Sequence, residues 1–413
     1  MRRISTNMPT IDMQYYLRLR EWRMNELQNK MASQSRIKEL RDDPMAASRA
    51  TRFQTSEARL RKYSRNIEML RNNAAVTEGY LNEAADVLQR MREIAIQGAT
   101  GTLQQSDMAI LGDEVNQLLN ELVTIGNARS ADGKRLFSGY DTGHEPFRAT
   151  WGLVSRDHPE MIVGVDYVGN IGRNQVEISP ATDIAVNLPG NHAFWAEKQS
   201  VYSAVDATDY RVRENSHIRV DGIEIQLTEG DNVYAIIHKI NSSGAAVRAR
   251  LDPVQASLVL ETTTAHELWL EDLGGTSVLQ DLGVLSDATP PLNSAESARV
   301  FGGSVFDMAI HLRDALYRGD STEVNAGGIR GMDDALASII TSRAELGAKD
   351  ARLAETYKRL TFEIPVFVNM NSQEVDLDIS EAITNLKMLE YTHEAALSTA
   401  AKIMQLSLLN FLR

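Results

Sequence analysis

Cysteine is absent from the 413-residue chain. That excludes disulfide staples, thiolate metal sites, iron–sulfur clusters and a cysteine nucleophile, and it suits export through an oxidising space. Long apolar runs are missing too. The opening Met1-Arg2-Arg3-Ile4-Ser5-Thr6-Asn7-Met8-Pro9 has no apolar stretch of ~7–15 residues behind its arginines, so no secretory signal is expected. The greasiest region, residues 395–412, is interrupted by Ser398, Thr399, Lys402, Gln405, Ser407 and Asn410. It falls short of the ~18 unbroken apolar residues of a spanning helix, and no membrane insertion is expected.

Signatures of catalysis are equally scarce. The eight histidines are scattered without metal-ligand spacing; His266-Glu267 begins a zinc-protease pattern, but Leu270 stands where the second ligand belongs. Ordinary surface or strand histidines are expected. Gly327-Gly328-Ile329-Arg330-Gly331 lacks the lysine and the preceding strand of a phosphate loop and reads as a helix irregularity. No nucleophile-elbow pattern occurs. No metal and no cofactor are therefore expected, while a Ser/His/Asp constellation, which need not be local, stays open; that the chain is no enzyme is expected from a family resemblance.

What is present is helical periodicity at both ends and a different text between them. Leu60, Tyr63, Ile67, Leu70, Ala74, Thr77, Leu81, Ala84, Leu88, Met91 and Ala95 alternate steps of three and four without a slip. That is the 3.5-residue repeat of a left-handed coiled coil, a rod of about 54 Å. Asp43 followed by Pro44 supplies its N-cap and first helical residue. Met108, Leu111, Val115, Leu118, Leu122 and Ile125 repeat the rhythm in a second helix, expected to fold back antiparallel. From 147 to 290 short β-branched runs punctuated by glycine predict strands at 161–168, 175–178, 217–227 and 258–262, with one helix over 233–241. Helical period returns with Ala298, Phe301, Val305, Met308, Leu312 and Ala315, then with Met332, Leu336, Ile339, Leu346, Leu353 and Leu360, where Pro365 should kink or end the helix.

The expected fold is mainly α with an inserted α+β domain: long antiparallel coiled-coil helices from both terminal regions and one β-rich insert between them. Its divisions are 1–43, an N-terminal assembly helix; 44–146, shell helices; 147–290, the insert; 291–364, further shell helices; and 365–413, a C-terminal assembly helix. The terminal seams are Met13, Leu17, Met24, Leu27 and Met31 at one end and Leu397, Ala401, Met404, Leu408 and Phe411 at the other. The last helix is apolar around nearly its whole circumference, which water does not tolerate in isolation, so both ends are expected to bury themselves against other chains.

Net charge is −13, against nucleic-acid coating by the whole chain, yet residues 1–65 hold fifteen Lys+Arg and seven Asp+Glu. Without interleaved aromatics this basic arm is no single-strand platform, and protein contact, not nucleic acid, is its expected use.

Five passages then carry a family resemblance: Met1-Arg2-Arg3-Ile4-Ser5-Thr6-Asn7-Met8; Leu40-Arg41-Asp42-Asp43-Pro44-Met45-Ala46-Ala47; Asp132-Gly133-Lys134-Arg135-Leu136-Phe137-Ser138-Gly139; Ile218 and Gly222 with Ile240-Asn241 and Leu258-Val259-Leu260; and Glu381-Ala382-Ile383-Thr384-Asn385-Leu386 with Gln405 to Leu412. In their order and placement the chain resembles the bacterial flagellin superfamily, and its two ends look most like the branch that joins hook to filament. The resemblance implies a structural building block of the flagellum, exported by the type III route and external or, in an enclosed flagellum, periplasmic. The implied arrangement puts the terminal helices in an inner tube, the long helices in a shell and the insert outside. Implied partners are further copies of itself in a ring, the adjacent hook-associated protein, flagellin and an export chaperone. A filament flagellin with a small insert, or a helical-stalk adhesin displaying a carbohydrate-binding domain, are the alternatives.

Overall fold

The computed structural model describes residues 8–153, 160–185 and 187–411, with side chains over 8–10 and 403–411 left aside. In chain order the elements are α1 (Met8–Ser33), α2 (Pro44–Gly98), α3 (Gln105–Gly126), β1 (Phe147–Gly152), β2 (Met161–Tyr167), β3 (Gln175–Ser179), β4 (Thr182–Ala185), α4 (Gly190–Ala193), β5 (Ser200–Asp206), β6 (Ser216–Val220), β7 (Ile223–Leu227) and α5 (Val233–Ser242). There follow β8 (Val247–Leu251), β9 (Ser257–Thr262), β10 (Leu270–Leu273), α6 (Val278–Asp281), β11 (Arg299–Phe301), α7 (Val305–Arg318), α8 (Ser321–Glu323), a π-helical turn (Val324–Gly328), α9 (Ile329–Val375) and α10 (Ile379–Phe411). The chain divides into two units, residues 1–65 with 357–413, and residues 66–356.

In the second unit two hydrophobic clusters form. One joins the seam of α2 to α3, α7 and the start of α9, and takes in Phe147, Ile162, Val165 and Tyr167 of the antiparallel β1–β2 hairpin. All eleven seam positions from Leu60 to Ala95 are buried, because a sustained 3.5-residue period keeps one stripe facing inward along the whole helix. Phe147 is the hub: its ring lies 4.9 Å from Phe306 and 5.3 Å from both Phe194 and Tyr167. The buried residues of the other cluster all fall within 201–285; a three-stranded sheet (β10-β6-β7), a four-stranded sheet (β11-β5-β9-β8), whose edge strand β11 comes from beyond that span, and α5 enclose Ile218, Ile236, Ile240, Leu258 and Leu260. The stretch 147–290 is thus not one insert around one core: its first part belongs to the helical core, and only the second closes on itself.

Asn241 explains why an Ile-Asn pair ends α5. Ile240 is fully buried, and the Asn241 amide pairs with the backbone of Ala249, donating to its oxygen (2.9 Å) and accepting from its N–H (2.8 Å). One side chain thereby supplies β8 with a pair of ladder bonds.

Two helix boundaries differ from expectation. Ala298 and Phe301 do not belong to a helix; Arg299–Phe301 pairs as β11 with β5, and α7 starts only after Gly302-Gly303, where Ser304 and Asp307 form a reciprocal capping box. Pro365 does not end its helix: α9 runs on to Val375, with the exposed proline on its solvent side. The carbonyl deprived of a partner by the ring can bond to water there, which lessens the cost of proline in a helix interior. The last helix, expected to serve assembly, accordingly begins at Ile379 and not at 365. The glycine pair Gly327-Gly328 does sit in a helix irregularity, the π-turn that opens α9.

Candidate assembly interface

The first unit comprises α1, the start of α2, the end of α9, and α10, with α1 packed along α10. The link after α1 is stitched to the link before α10 by an antiparallel bridge, Arg36 N–H to Val375 O (2.7 Å) and Leu377 N–H to Gln34 O (3.1 Å). Arg49 grips Glu374 with two bonds (2.8 and 2.9 Å), and the guanidinium holds that carboxyl below its ordinary range. Asp43 accepts from the Ala46 N–H (3.0 Å), the N-cap of α2. That bond, followed by Arg36 nearby, keeps the Asp43 carboxyl low.

Very little of this unit is enclosed. Among the described residues, neither hydrophobic cluster includes any of this unit's, and the buried apolar side chains are Ala46, Ala50, Leu60, Tyr63, Leu360, Ala382 and Ala400. Of the expected seam, Met13, Leu17, Met24, Leu27 and Met31 are half-buried, Leu397 and Ala401 are exposed, and the side chains of Met404, Leu408 and Phe411 lie outside the described residues. Between α1 and α10 a cavity of about 630 Å³ stays open, lined by Met13, Leu17, Tyr16, Tyr391, Ala396 and Thr399 among others, with Arg20 donating to Thr392 O (2.8 Å) beside it.

The sequence reading missed the most exposed part of this face. Ile11, Tyr15 and Trp22, at steps of four and seven along α1, project into solvent, as do Met388 and Tyr391 on α10. They lie off the line traced through Met13 and Leu17. The available signal was density: Tyr15, Tyr16 and Trp22 fall within eight residues of a chain that is 6% aromatic. Contiguous exposed apolar patches are the feature by which interaction surfaces are recognised.

In the second unit the histidines correct the sequence reading. His266 is buried and His192 half-buried; their rings stack 6.3 Å apart in the wall of a cleft of about 880 Å³. Burial lowers the His192 pKa below its ordinary value. The carboxylates around the cleft are already engaged: Asp221 accepts from the Trp269 N–H (3.0 Å) and meets His266 Nε2 (2.9 Å), while Glu271 holds Arg219 (2.6 Å) and the Trp269 indole N–H (2.9 Å). These groups fasten loops to one another.

The described helices include none long and apolar enough to cross a membrane. Compared with known proteins, residues 4–142 match the bacterial flagellin N-terminal helical region, residues 329–412 the bacterial flagellin C-terminal helical region, and residues 214–264 the flagellin hook IN motif. The two terminal regions alone cover more than half of the chain, and the chain belongs to the bacterial flagellin family. It is therefore a structural protein of the flagellum. Polar flagellin C of Vibrio parahaemolyticus is 24% identical over 428 residues, covering 98% of this chain and 97% of that protein. Flagellin A of Vibrio cholerae is 25% identical over 423 residues, at 98% and 97% coverage. Among solved structures, a flagellar hook associated protein-3 from Legionella pneumophila aligns with a TM-score of 0.46 and 15% identity, over 78% of this chain and 97% of that one.

Proposed function

We propose that this chain is a junction subunit of the flagellum, seated between the hook side and the flagellin filament and assembled there as a ring of copies through its terminal helices. The observation that carries assembly is the first unit's face, apolar and exposed along α1 and α10 while outside both hydrophobic clusters. The residues proposed to make the contacts are Met13, Leu17, Met24, Leu27, Met31, Leu397, Ala401, Met404, Leu408 and Phe411, joined by Ile11, Tyr15 and Trp22. In that arrangement α1 and α10 line the inner tube, the remaining long helices form the shell, and the module of residues 201–285 lies outermost. The junction position rests on the passages at the two ends: Met1 to Met8 is similar to the opening of junction proteins, and Glu381 to Leu386 with Gln405 to Leu412 resembles their C-terminus more than that of filament subunits. Partners would be the adjacent hook-associated protein and flagellin, with an export chaperone before secretion.

A second reading, a filament flagellin, is favoured by the end-to-end alignment with filament proteins of Vibrio. Deleting the gene separates the two. A junction subunit's loss leaves bacteria that release filament subunits into the medium unassembled. Disappearance of the main filament polypeptide itself would refute the junction position.

A further inference from the structure

In the second unit the cleft of about 880 Å³ has two walls: the loop of residues 170–175 with α4, and the β6–β7 turn with the loop before β8 and residues 264–271. The 170–175 loop is held from both ends by side chains. Asn170 Oδ1 accepts from the Tyr140 N–H (2.7 Å) and the Gly172 N–H (2.9 Å). Asn187 donates to Gly172 O (2.7 Å) and accepts from the Asn174 N–H (2.8 Å). Tyr140 closes over the loop, its hydroxyl donating to Arg173 O (3.0 Å) and its ring so near that a Cβ on Gly172 would lie 2.1 Å from it. In the middle of this fixed loop stands Arg173. Its side chain is exposed, and its guanidinium has no ion-pair or hydrogen-bond partner among the described residues.

The polar capacity left in the walls is mostly of one kind. Both oxygens of Asp221 are taken, by the Trp269 N–H and His266, and both of Glu271, by the Trp269 indole and Arg219. Left over are donors: the whole Arg173 guanidinium and the Arg219 nitrogens that Glu271 does not use. His192 Nδ1 is enclosed without a partner, and it donates in one of the two neutral tautomers. Since burial lowers the His192 pKa, that ring is neutral near pH 7 and adds no charge. Two arginines and two carboxylates line the cleft, so the fixed charges balance. One negative charge can therefore be met by a guanidinium already free, whereas a second would have to draw Arg219 away from Glu271.

We propose that this cleft binds a small organic monocarboxylate with a ring-sized body, its carboxylate held by Arg173 and the free edge of Arg219 and its body lying against Tyr140, Ile171 and Ile223. A planar guanidinium matches a carboxylate with two parallel bonds. The volume falls within the ~300–1,000 Å³ of small-molecule sites. Because the loop carrying Arg173 is already pinned, little ordering is left for the ligand to impose. No residue of the first unit takes part, so this site stands or falls independently of the assembly reading.

The test titrates the full-length chain, followed by saturation-transfer NMR, with benzoate and glucuronate, a flat apolar acid and a hydroxylated one. Glucose and inorganic phosphate are the comparisons. One or both acids should bind with a Kd of about 1 mM, and glucose roughly tenfold more weakly or worse. Benzoate ahead of glucuronate would mark an aromatic acid as the natural type of ligand, and the reverse order a sugar acid. Arg173→Gln leaves no partner orphaned, so thermal unfolding should not change. Its affinity for the acids should nonetheless fall about tenfold or more, since charge-assisted hydrogen bonds are the strong ones. Four results would each overturn the inference: no binding of either acid at about 10 mM, glucose binding as well as the acids, phosphate binding more tightly than both, or an Arg173→Gln chain that binds undiminished.

Discussion

Removing two aromatic rings from α1 should abolish assembly while leaving the rest of the chain as stable as before. Trp22 and Tyr15 are one heptad apart, 58% and 63% exposed, and belong to neither hydrophobic cluster. Taking roughly 250 Å² for the tryptophan and roughly 200 Å² for the tyrosine, about 145 and about 125 Å² remain for a partner to cover. At ~25 cal/mol per Å² that is about 3.6 and about 3.1 kcal/mol if covering is complete, an upper bound of roughly a few hundredfold in association apiece. Alanine is the replacement of choice, because it is the best helix former and any loss cannot then be charged to a weakened helix. The assay is sedimentation of the Trp22→Ala, Tyr15→Ala chain against wild type, alongside thermal unfolding followed by circular dichroism. Assembly should fail by two orders of magnitude or more in concentration, with the melting of the 66–356 unit unmoved. Undiminished assembly would show that this face is not covered by a neighbour; a melting point lowered by many degrees would show that it belongs to the chain's own core.

Two further outcomes concern the second unit. Gly139 has φ +71°, and a Cβ there would fall 2.0 Å from the Asn170 carbonyl oxygen, so Gly139→Ala combines left-handed strain with a backbone clash. It should cost ~2 kcal/mol or more, read as a lowered urea midpoint. Burial, followed by repulsion from Asp166 and Asp307, pushes the Glu267 carboxyl up to about 8, so the folded state holds a proton that the unfolded chain releases near pH 4.5. Stability from this group is complete below that pH and is lost as pH rises toward 8. Glu267→Gln should flatten the decline in urea midpoint across that window, and an unchanged slope would refute the assignment.

The parts of this fold that could be read from sequence are those where one physical rule acts alone. The α2 seam obeys a strict period over many turns, and every position in it is buried. Asp43-Pro44 is a local capping signal and starts a helix as local chemistry requires. Misreadings arose where distant partners decide. Residues 299–301 carry a helical rhythm by coincidence and become a strand because β5 offers its edge. Short strands such as β4, β8 and β10 have too few residues for alternation to show; ladder partners create them, neighbouring strands for β4 and β8 and the distant β6 for β10. His266 owes its burial to Asp221, forty-five residues away, which no local pattern announces. At the interface the half-open seam was legible from its apolar spacing, whereas the outward ring stripe was not, since helical period says which residues share a side and not whether a neighbour covers it.

The pairing of β5 with β11 places Ser200 opposite Phe301, so the polypeptide enters and leaves the self-enclosed β module at adjacent points. A substitute for that module would need ends that meet in the same way, and a replacement for Trp269, which the helical core also buries. In the proposed arrangement, with this module outermost, its size and chemistry can change at this socket while the pairing of β5 with β11 is kept.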